Sequence, residues 1–195
     1  MKLLNLFLAL SICYELNAQF SFGLKAGVSQ NMAYEKPEMP YGYPDGFNPG
    51  FHLGLYFDFP VAPRLTITPE LQYIKKGFSE DYLKYNYLEL PLLLGFAISK
   101  KIRLQAGPAI GGEVSLWQDK YLSIGYRDWD IDASIIAGIK YYVSGNLAIL
   151  TRYNHSLLPI VEGDYFTSNT TYYHYKIVLT NIQLGVQYRL KGKTV

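Results

Sequence analysis

Cysteine, histidine, tryptophan and charged residues are all scarce in this chain of 195 residues. The one cysteine, Cys13, lies in an N-terminal apolar run, so the rest of the chain folds without a disulfide. Charged residues make up 17% with a net charge of +2, which excludes the basic footprint of a nucleic-acid-binding protein. No later segment reaches the ~18 consecutive apolar residues of a spanning helix. A mature protein that enters a membrane would therefore do so as strands.

Motifs that carry catalysis are also missing. The chain has no Walker loop, dinucleotide fingerprint, G-x-S-x-G elbow or H-E-x-x-H helix. His52, His155 and His174 lack metal-ligand spacing, and the glycines of 107–112 precede no helical pattern. His155 and Ser156 resemble the residue types of lipid-modifying barrel enzymes, but neighbours on a strand point to opposite faces. We predict a non-enzymatic protein with no catalytic residue, metal or cofactor.

The first eighteen residues have the pattern of a cleaved secretory signal. Lys2 supplies the positive start, Leu3 to Cys13 form a short apolar core, and Ala18 is the small residue before the cut. A helical anchor is the alternative, although the run is shorter than the ~20 residues that a bilayer requires. We predict a signal peptide over residues 1–18 and one domain over residues 19–195.

The alternation of apolar and polar residues is clearest from Tyr85 to Ile98, YNYLELPLLLGFAI. Every second residue from Leu88 to Ile98 is a large hydrophobe, and the intervening positions are smaller and include Glu89. A period of two predicts a strand. In a soluble sandwich the apolar face would point inward, whereas in a membrane barrel it would point to lipid.

The same alternation recurs along the chain and predicts eight strands, most of them longer than the ~5–6 residues usual in soluble sheets. Short turns near 60–63, 99–101 and 144–146 alternate with long loops, as in outer-membrane barrels. We predict an all-β fold, an eight-stranded antiparallel up-and-down transmembrane β-barrel, with a soluble sandwich as the alternative. The predicted strands are Phe20 to Val28, Gly50 to Phe59, Arg64 to Phe78, Tyr85 to Ile98, Ile102 to Trp117, Trp129 to Tyr141, Leu147 to Asn154 and Lys176 to Leu190.

The mixed face carries charges of both signs, and in a barrel this face lines the interior. An eight-stranded barrel is just wide enough for side chains to fill, and buried charges require partners. We predict a paired interior network, with glycines making room for the long side chains. Its members are Lys25, Asp58, Arg64, Glu70, Glu89, Arg103, Glu113, Asp130, Asp132, Lys140, Arg152 and Arg189.

Aromatic residues cluster near both ends of the predicted strands, as in the interfacial belts of membrane barrels. Three prolines within the predicted strands argue against a regular barrel: Pro69, Pro91 and Pro108. Proline donates no ladder hydrogen bond, so each of them requires a bulge or an interruption of the pairing. The belt residues are Phe57, Phe59, Phe78, Tyr85, Tyr87, Phe96, Trp117, Trp129, Tyr141 and Tyr188.

The chain resembles the PorT family of outer-membrane β-barrel proteins of the Bacteroidota over about residues 20–190. The resemblance lies in GLKAGVSQN, FPVAPRLTITPELQYIKKGF, YLELPLLLGF, IRLQAGPAIGG, DWDIDASIIAGIKYYVSGNLAILTRYNHSL and NIQLGVQYRL. It implies an outer-membrane location, and its founding member is linked to the type IX secretion apparatus. Such barrels usually end in an aromatic residue, whereas this chain ends in Leu190 and a polar tail.

These features predict a monomeric structural or interaction barrel in outer-membrane lipid. The Tyr-rich external loops 32–48 and 158–174 are the predicted site for a protein partner, and no nucleic acid is expected. A narrow pore or transport channel is one alternative. A lipocalin-like barrel that binds a small apolar ligand is another, and it requires an apolar interior.

Overall fold

A computed structural model describes residues 20–36, 48–77, 84–114, 131–159, 161–166 and 172–192. These residues form antiparallel strands joined by tight turns, and they contain no helix that is long and apolar enough to cross a bilayer. The strands are β1 (Ser21–Lys36), β2 (Asn48–Ala62), β3 (Leu65–Gly77), β4 (Lys84–Ala97), β5 (Ile102–Glu113), β6 (Ile131–Tyr142), β7 (Leu147–Ser156), β8 (Val161–Phe166) and β9 (Tyr172–Lys191).

The sheet closes on itself. Each strand from β1 to β7 pairs with the next, β7 pairs with β9, and β9 pairs with β1. The short strand β8 continues the line of β7 along β9: β7 pairs with the residues up to Tyr188, and β8 with residues 172–177. Pro159, which has no N–H to donate, lies in the break between them. The result is a closed eight-stranded antiparallel barrel, which confirms the predicted fold.

Two regions predicted as loops are partly strand. Residues 32–36 pair with residues 176–180 and prolong β1, although their composition predicted the start of loop 32–48. Within the predicted loop 158–174, residues 161–166 and 172–174 form a hairpin. Pairing with the long strand β9 outweighs the local turn-like composition. Residues 37–47, 160 and 167–171 of the predicted loops lie outside the described ones.

The two faces of the sheet are sorted as a membrane barrel requires. Among the described residues, twenty-six buried side chains are polar or charged and only ten are hydrophobic, while thirty-one large hydrophobes are exposed. In β4 the outward positions Leu88, Leu90, Leu92 and Leu94 are about half exposed, and Glu89 is buried. The apolar face therefore points outward. A soluble sandwich core and the apolar interior of a lipocalin-like barrel are both excluded by this sorting.

The prolines lie at interruptions of the ladders. The pairing of β4 with β5 passes from Pro91–Ala109 to Leu94–Ala106 and omits the position of Pro108. The pairing of β2 with β3 likewise omits the position of Pro69. Because no ladder hydrogen bond is required there, the missing N–H groups cost little. Pro91 is paired with Ala109 of β5, but the pairing of β3 with β4 omits its position in the same way.

Three tight turns lie together at one end of the barrel, which we name the turn end. They are Pro63–Arg64, the 98–101 segment and the 143–146 segment. The Ser99 hydroxyl accepts hydrogen bonds from the backbone N–H groups of Lys101 at 3.2 Å and Ile102 at 3.1 Å. Ser144 has the same role in the last turn. A serine in the second and in the third of these turns thus accepts hydrogen bonds from backbone donors of its own turn.

Candidate functional site

The candidate site is the interior of the barrel, and Glu70 lies at its centre. The Arg152 guanidinium donates two hydrogen bonds of 2.7 Å to the two carboxylate oxygens of Glu70. Glu70 is on β3 and Arg152 is on β7, four strands apart in the ring of eight, so this pair spans the full diameter. Side chains from opposite walls are therefore in contact at this level.

Other residues complete the central group. Lys25 of β1 forms an ion pair with Glu70, and Gln105 accepts a hydrogen bond of 3.0 Å from Arg152. All four side chains are 3% exposed or less. A buried carboxylate with two cations, one of them a bidentate guanidinium, has the geometry in which charge-assisted hydrogen bonds are strongest. Four strands of the barrel are thus connected through Glu70 and Arg152.

A second group lies further from the turn end and is centred on Lys76. Its ammonium contacts Asp132 of β6 at 2.9 Å and forms an ion pair with Glu89 of the neighbouring strand β4. The Ser156 hydroxyl also donates to Asp132 at 2.9 Å, and Gln72 donates to Glu89. Lys76 is 1% exposed, and the predicted interior network omitted it. The alternation of β3, continued past Tyr73, would have found it.

The third group, at the turn end, has more positive than negative charge. Asp58 accepts a hydrogen bond of 2.6 Å from Thr68 and lies 3.4 Å from the Lys140 ammonium and 4.0 Å from Arg103. Lys140 comes from the strand opposite Asp58 in the ring, so this pair also spans the diameter. Arg103 donates to the Tyr142 hydroxyl at 2.9 Å. An aromatic ring also stabilises a cation in this group, since the Lys140 ammonium lies 5.0 Å from the ring centre of Tyr56.

Glycines make room for these long side chains. A Cβ on Gly138 would lie 2.6 Å from Cγ of Arg152, and one on Gly111 would lie 2.8 Å from Cγ of Glu89. A Cβ on Gly95 would lie 2.8 Å from Cδ of Arg103. These distances are too short for real carbon contacts, so the charged groups reach across the interior only because their neighbours lack side chains.

The structure corrects some members of the predicted network. Arg64 is exposed because it belongs to the tight turn after β2 and not to the inward face of β3. Glu113 is half-buried at the end of β5, and Asp130 lies outside the described residues. The buried charges described are six cations and four carboxylates, rather than an equal number of each. The members found in the interior are Lys25, Asp58, Glu70, Glu89, Arg103, Asp132, Lys140, Arg152 and Arg189.

The predicted aromatic belts are only partly described. Phe96, Tyr141 and Tyr188 are exposed on the outer face near the turn end. Phe57 and Phe59 stack there on Phe22 and Phe20, with ring centres 6.2 Å and 5.9 Å apart. Tyr87 was predicted for the belt wrongly, since it is 4% exposed and points inward, with the Lys76 ammonium 5.3 Å from its ring. Phe78, Trp117, Trp129 and the side chain of Tyr85 lie outside the described parts.

His155 and Ser156 do not form a catalytic pair. Ser156 points inward to Asp132, whereas His155 is half-exposed on the other face, with Nδ1 3.0 Å from the Thr180 hydroxyl. The described residues also contain no group of three or more His, Cys, Asp or Glu side chains that could hold a metal ion. What this interior does is connect opposite walls of the barrel by ionic contacts.

A closed barrel with large hydrophobes outside and paired charges inside defines an integral membrane β-barrel protein. The family described as "Outer membrane protein beta-barrel domain" matches residues 15–162, and the chain belongs to this family, which indicates an outer-membrane location.

Solved structures show the same fold. Ail, the attachment invasion locus protein of Yersinia pestis, is 16% identical with a TM-score of 0.51, and the match covers 88% of this chain and 99% of Ail. Neisserial surface protein A (NspA) is 13% identical with a TM-score of 0.52, covering 86% of this chain and 96% of NspA. Comparison with curated protein sequences found no match.

Proposed function

We propose that this protein is a non-enzymatic, monomeric outer-membrane barrel with a closed interior that acts as a structural or partner-binding platform. The observation that carries the proposal is the contact between Glu70 and Arg152, which come from opposite walls and meet at 2.7 Å. The Lys140–Asp58 pair spans the diameter at a second level. An interior crossed twice by buried ion pairs leaves little room for a solute path.

The proposal includes export and orientation. Residues 1–18 act as a signal that is removed, and residues 19–195 form the mature domain, with the turn end on the periplasmic side. Short periplasmic turns and longer external loops are the rule in bacterial barrels of this type. The resemblance to the PorT family supports an association with secretion or with the envelope of Bacteroidota.

The partner-binding segments are the external parts of 32–48 and 158–174. Support comes from three strands that continue together beyond Asn31, where the pairing of β1 with β2 ends. Residues 32–36, 172–177 and 161–166 form this three-stranded extension. One described ion pair, Lys176–Glu162 at 2.8 Å, lies on it and is about half exposed. Such a sheet would give a partner a defined surface beyond the ring.

Single-channel recording of the purified mature chain in planar bilayers tests the closed interior. We expect no stable open conductance. We also expect Arg152→Ala to lower the midpoint of urea unfolding without opening a channel. Heat-modifiable gel migration of each preparation establishes that the barrel is folded. A steady open pore in the folded wild-type protein would refute the proposal.

A narrow pore is the second candidate, and one observation favours it. Both polar atoms of the Asn154 amide are buried and have no hydrogen-bond partner among the described residues, and the same holds for Oε1 of Gln183 on the adjoining strand β9. Buried amides of this kind are usually satisfied by water. A file of water along this wall would conduct small ions, and then Arg152→Ala or Glu89→Ala would change conductance more than stability.

A further inference from the structure

The lipid-facing surface has a groove of about 580 Å³ near the turn end. Its floor is the directly paired Ala106 and Ala137, whose small side chains leave a depression in a surface of large hydrophobes. Its walls are exposed hydrophobes of three neighbouring strands: Leu94, Phe96, Leu104 and Ile139. The groove is therefore apolar and lies over the β4, β5 and β6 strands.

Two lysines lie in the turn that joins β4 and β5, two of the strands that line the groove. Lys100 and Lys101 are exposed in the turn between β4 and β5, and neither forms an ion pair within the described part of the chain. The turn is fixed, because the carbonyl of Lys101 accepts a hydrogen bond of 2.8 Å from the N–H of Tyr142. The backbone that carries the two charges is thus fixed at the end of two strands that line the groove.

The vertical spacing suits a phospholipid. A strand rises ~3.3 Å per residue, and a tilt of about 40° leaves roughly 2.5 Å per residue along the membrane normal. Leu104 then lies about 8 Å and Ala106 about 13 Å from the level of Lys101. Because the apolar band of such barrels is ~25 Å tall, the groove lies within the half of the bilayer next to the turn end.

We propose that this groove binds one acyl chain of an anionic glycerophospholipid, while Lys100 and Lys101 bind its phosphate headgroup. The inference rests on the proposed orientation, which puts the turn end in the periplasmic leaflet. The charge at this end supports an anionic ligand: Arg64, Lys100, Lys101 and Lys191 are exposed there, and no exposed carboxylate accompanies them among the described residues.

A second copy of the chain fits the groove less well. A symmetric dimer through this surface would bring Lys100 and Lys101 of both copies close together, and like charges repel. The groove is also lined by only eight residues, whereas a stable interface uses ~20–30 residues on each side. A lipid chain requires neither a large interface nor a partner charge.

Native mass spectrometry of protein released from nanodiscs with equal amounts of phosphatidylglycerol and phosphatidylcholine tests the proposal. We expect the wild-type chain to retain phosphatidylglycerol preferentially, and K100Q/K101Q to lower that preference about fivefold for each lysine removed. The control K191Q removes one charge from the same end, but from a strand three places from β5 in the ring, and should leave the preference within about twofold of wild type, because electrostatic attraction is weak beyond a Debye length.

The apolar part has its own pair of variants. Ala137→Leu fills the groove and should reduce retention of both lipids, whereas Ala133→Leu, on the outer face of the same strand but outside the groove, should not. Equal losses in the two charge variants, or in the two alanine variants, would overturn the proposal. So would a cross-linked dimer that Ala137→Leu alone abolishes.

The outcome can be separated from the proposed function. If the chain does not insert as a heat-modifiable barrel, both proposals fail together. If it inserts and does not conduct, but retains the two lipids equally, only the lipid site is refuted.

Discussion

Removing the carboxylate at the centre of the barrel is the sharpest test of a closed interior. Glu70 is 3% exposed and neutralises two cations, Arg152 through two hydrogen bonds of 2.7 Å and Lys25 through an ion pair. In Glu70→Ala both cations would remain buried without this carboxylate. Breaking a buried pair by removing one partner costs about 3–5 kcal/mol, because the remaining charge is uncompensated. Because two cations lose their partner, we expect the free energy of unfolding to fall by an amount near the upper end of that range.

The chain offers a matched control. Glu162 also pairs with a lysine, at 2.8 Å from Lys176, but the two side chains are 43% and 48% exposed. Exposed ion pairs contribute roughly 0–1 kcal/mol, so Glu162→Ala should change the free energy of unfolding by no more than that. The two variants remove the same chemical group and differ in burial and in position on the barrel.

The assay is reversible urea unfolding in lipid vesicles, followed by tryptophan fluorescence and by heat-modifiable gel migration. A cycle that combines Glu70→Ala with Arg152→Ala should show coupling of about 0.5–3 kcal/mol, because residues in one network are not additive. If Glu70→Ala falls within about 1 kcal/mol of wild type, as Glu162→Ala should, the buried charges are solvated by water. The interior would then be a water-filled channel, and this result would favour the narrow pore over the closed barrel.

Three further predictions use the same unfolding assay. Lys76→Met should lower the free energy of unfolding by about 3–5 kcal/mol, because two buried carboxylates lose their cation. Lys75 is the half-exposed neighbour, and Lys75→Met should lower it by less than ~1 kcal/mol. Equal losses would mean that Lys76 does not lie in the interior. Leu92→Arg, mid-strand on the lipid face, should cost about 2–4 kcal/mol of unfolding free energy, and Val61→Arg, on the same face near the turn end, should cost roughly 0–1 kcal/mol. The reverse order would contradict the assigned depths of these residues in the membrane. Gly138→Val should cost about 1–3 kcal/mol, since its Cβ would lie 2.6 Å from a buried arginine side chain, and an unchanged midpoint would refute that close approach.

The direction of each side chain could largely be predicted from the sequence, because a strand has a period of two and lipid selects one face. The exceptions are instructive. Ile74 is an inward hydrophobe with no exposed surface, so polarity alone misassigns it and hides the inward position of Lys76 two residues later. The side chain of Tyr87 points inward as well, although tyrosine is a residue type typical of an interfacial belt.

The partners of the charged groups could not be predicted. Glu70 and Arg152 are 82 residues apart, and the alternation of β3 and β7 says only that both point inward. The stagger between neighbouring strands decides which residues of opposite strands lie at the same height in the barrel. That stagger is set by closure of the whole ring. The alternation predicted a filled, charged interior, while the three separate ion groups and the excess of cations required coordinates.

The arrangement of the two faces also explains why this fold depends on lipid. In water, the thirty-one exposed large hydrophobes of the described residues would form apolar patches far larger than those of a soluble monomer, and such patches drive association. Inverting the sheet would not help, because two of the buried ion pairs among the described residues, Glu70–Arg152 and Asp58–Lys140, join opposite walls, and separate walls could not form them. Outward hydrophobes and inward ion pairs are therefore satisfied together only when the barrel is closed and surrounded by acyl chains. It follows that a mature chain that stays monomeric and soluble without detergent would contradict both the assignment of faces and the closed ionic interior.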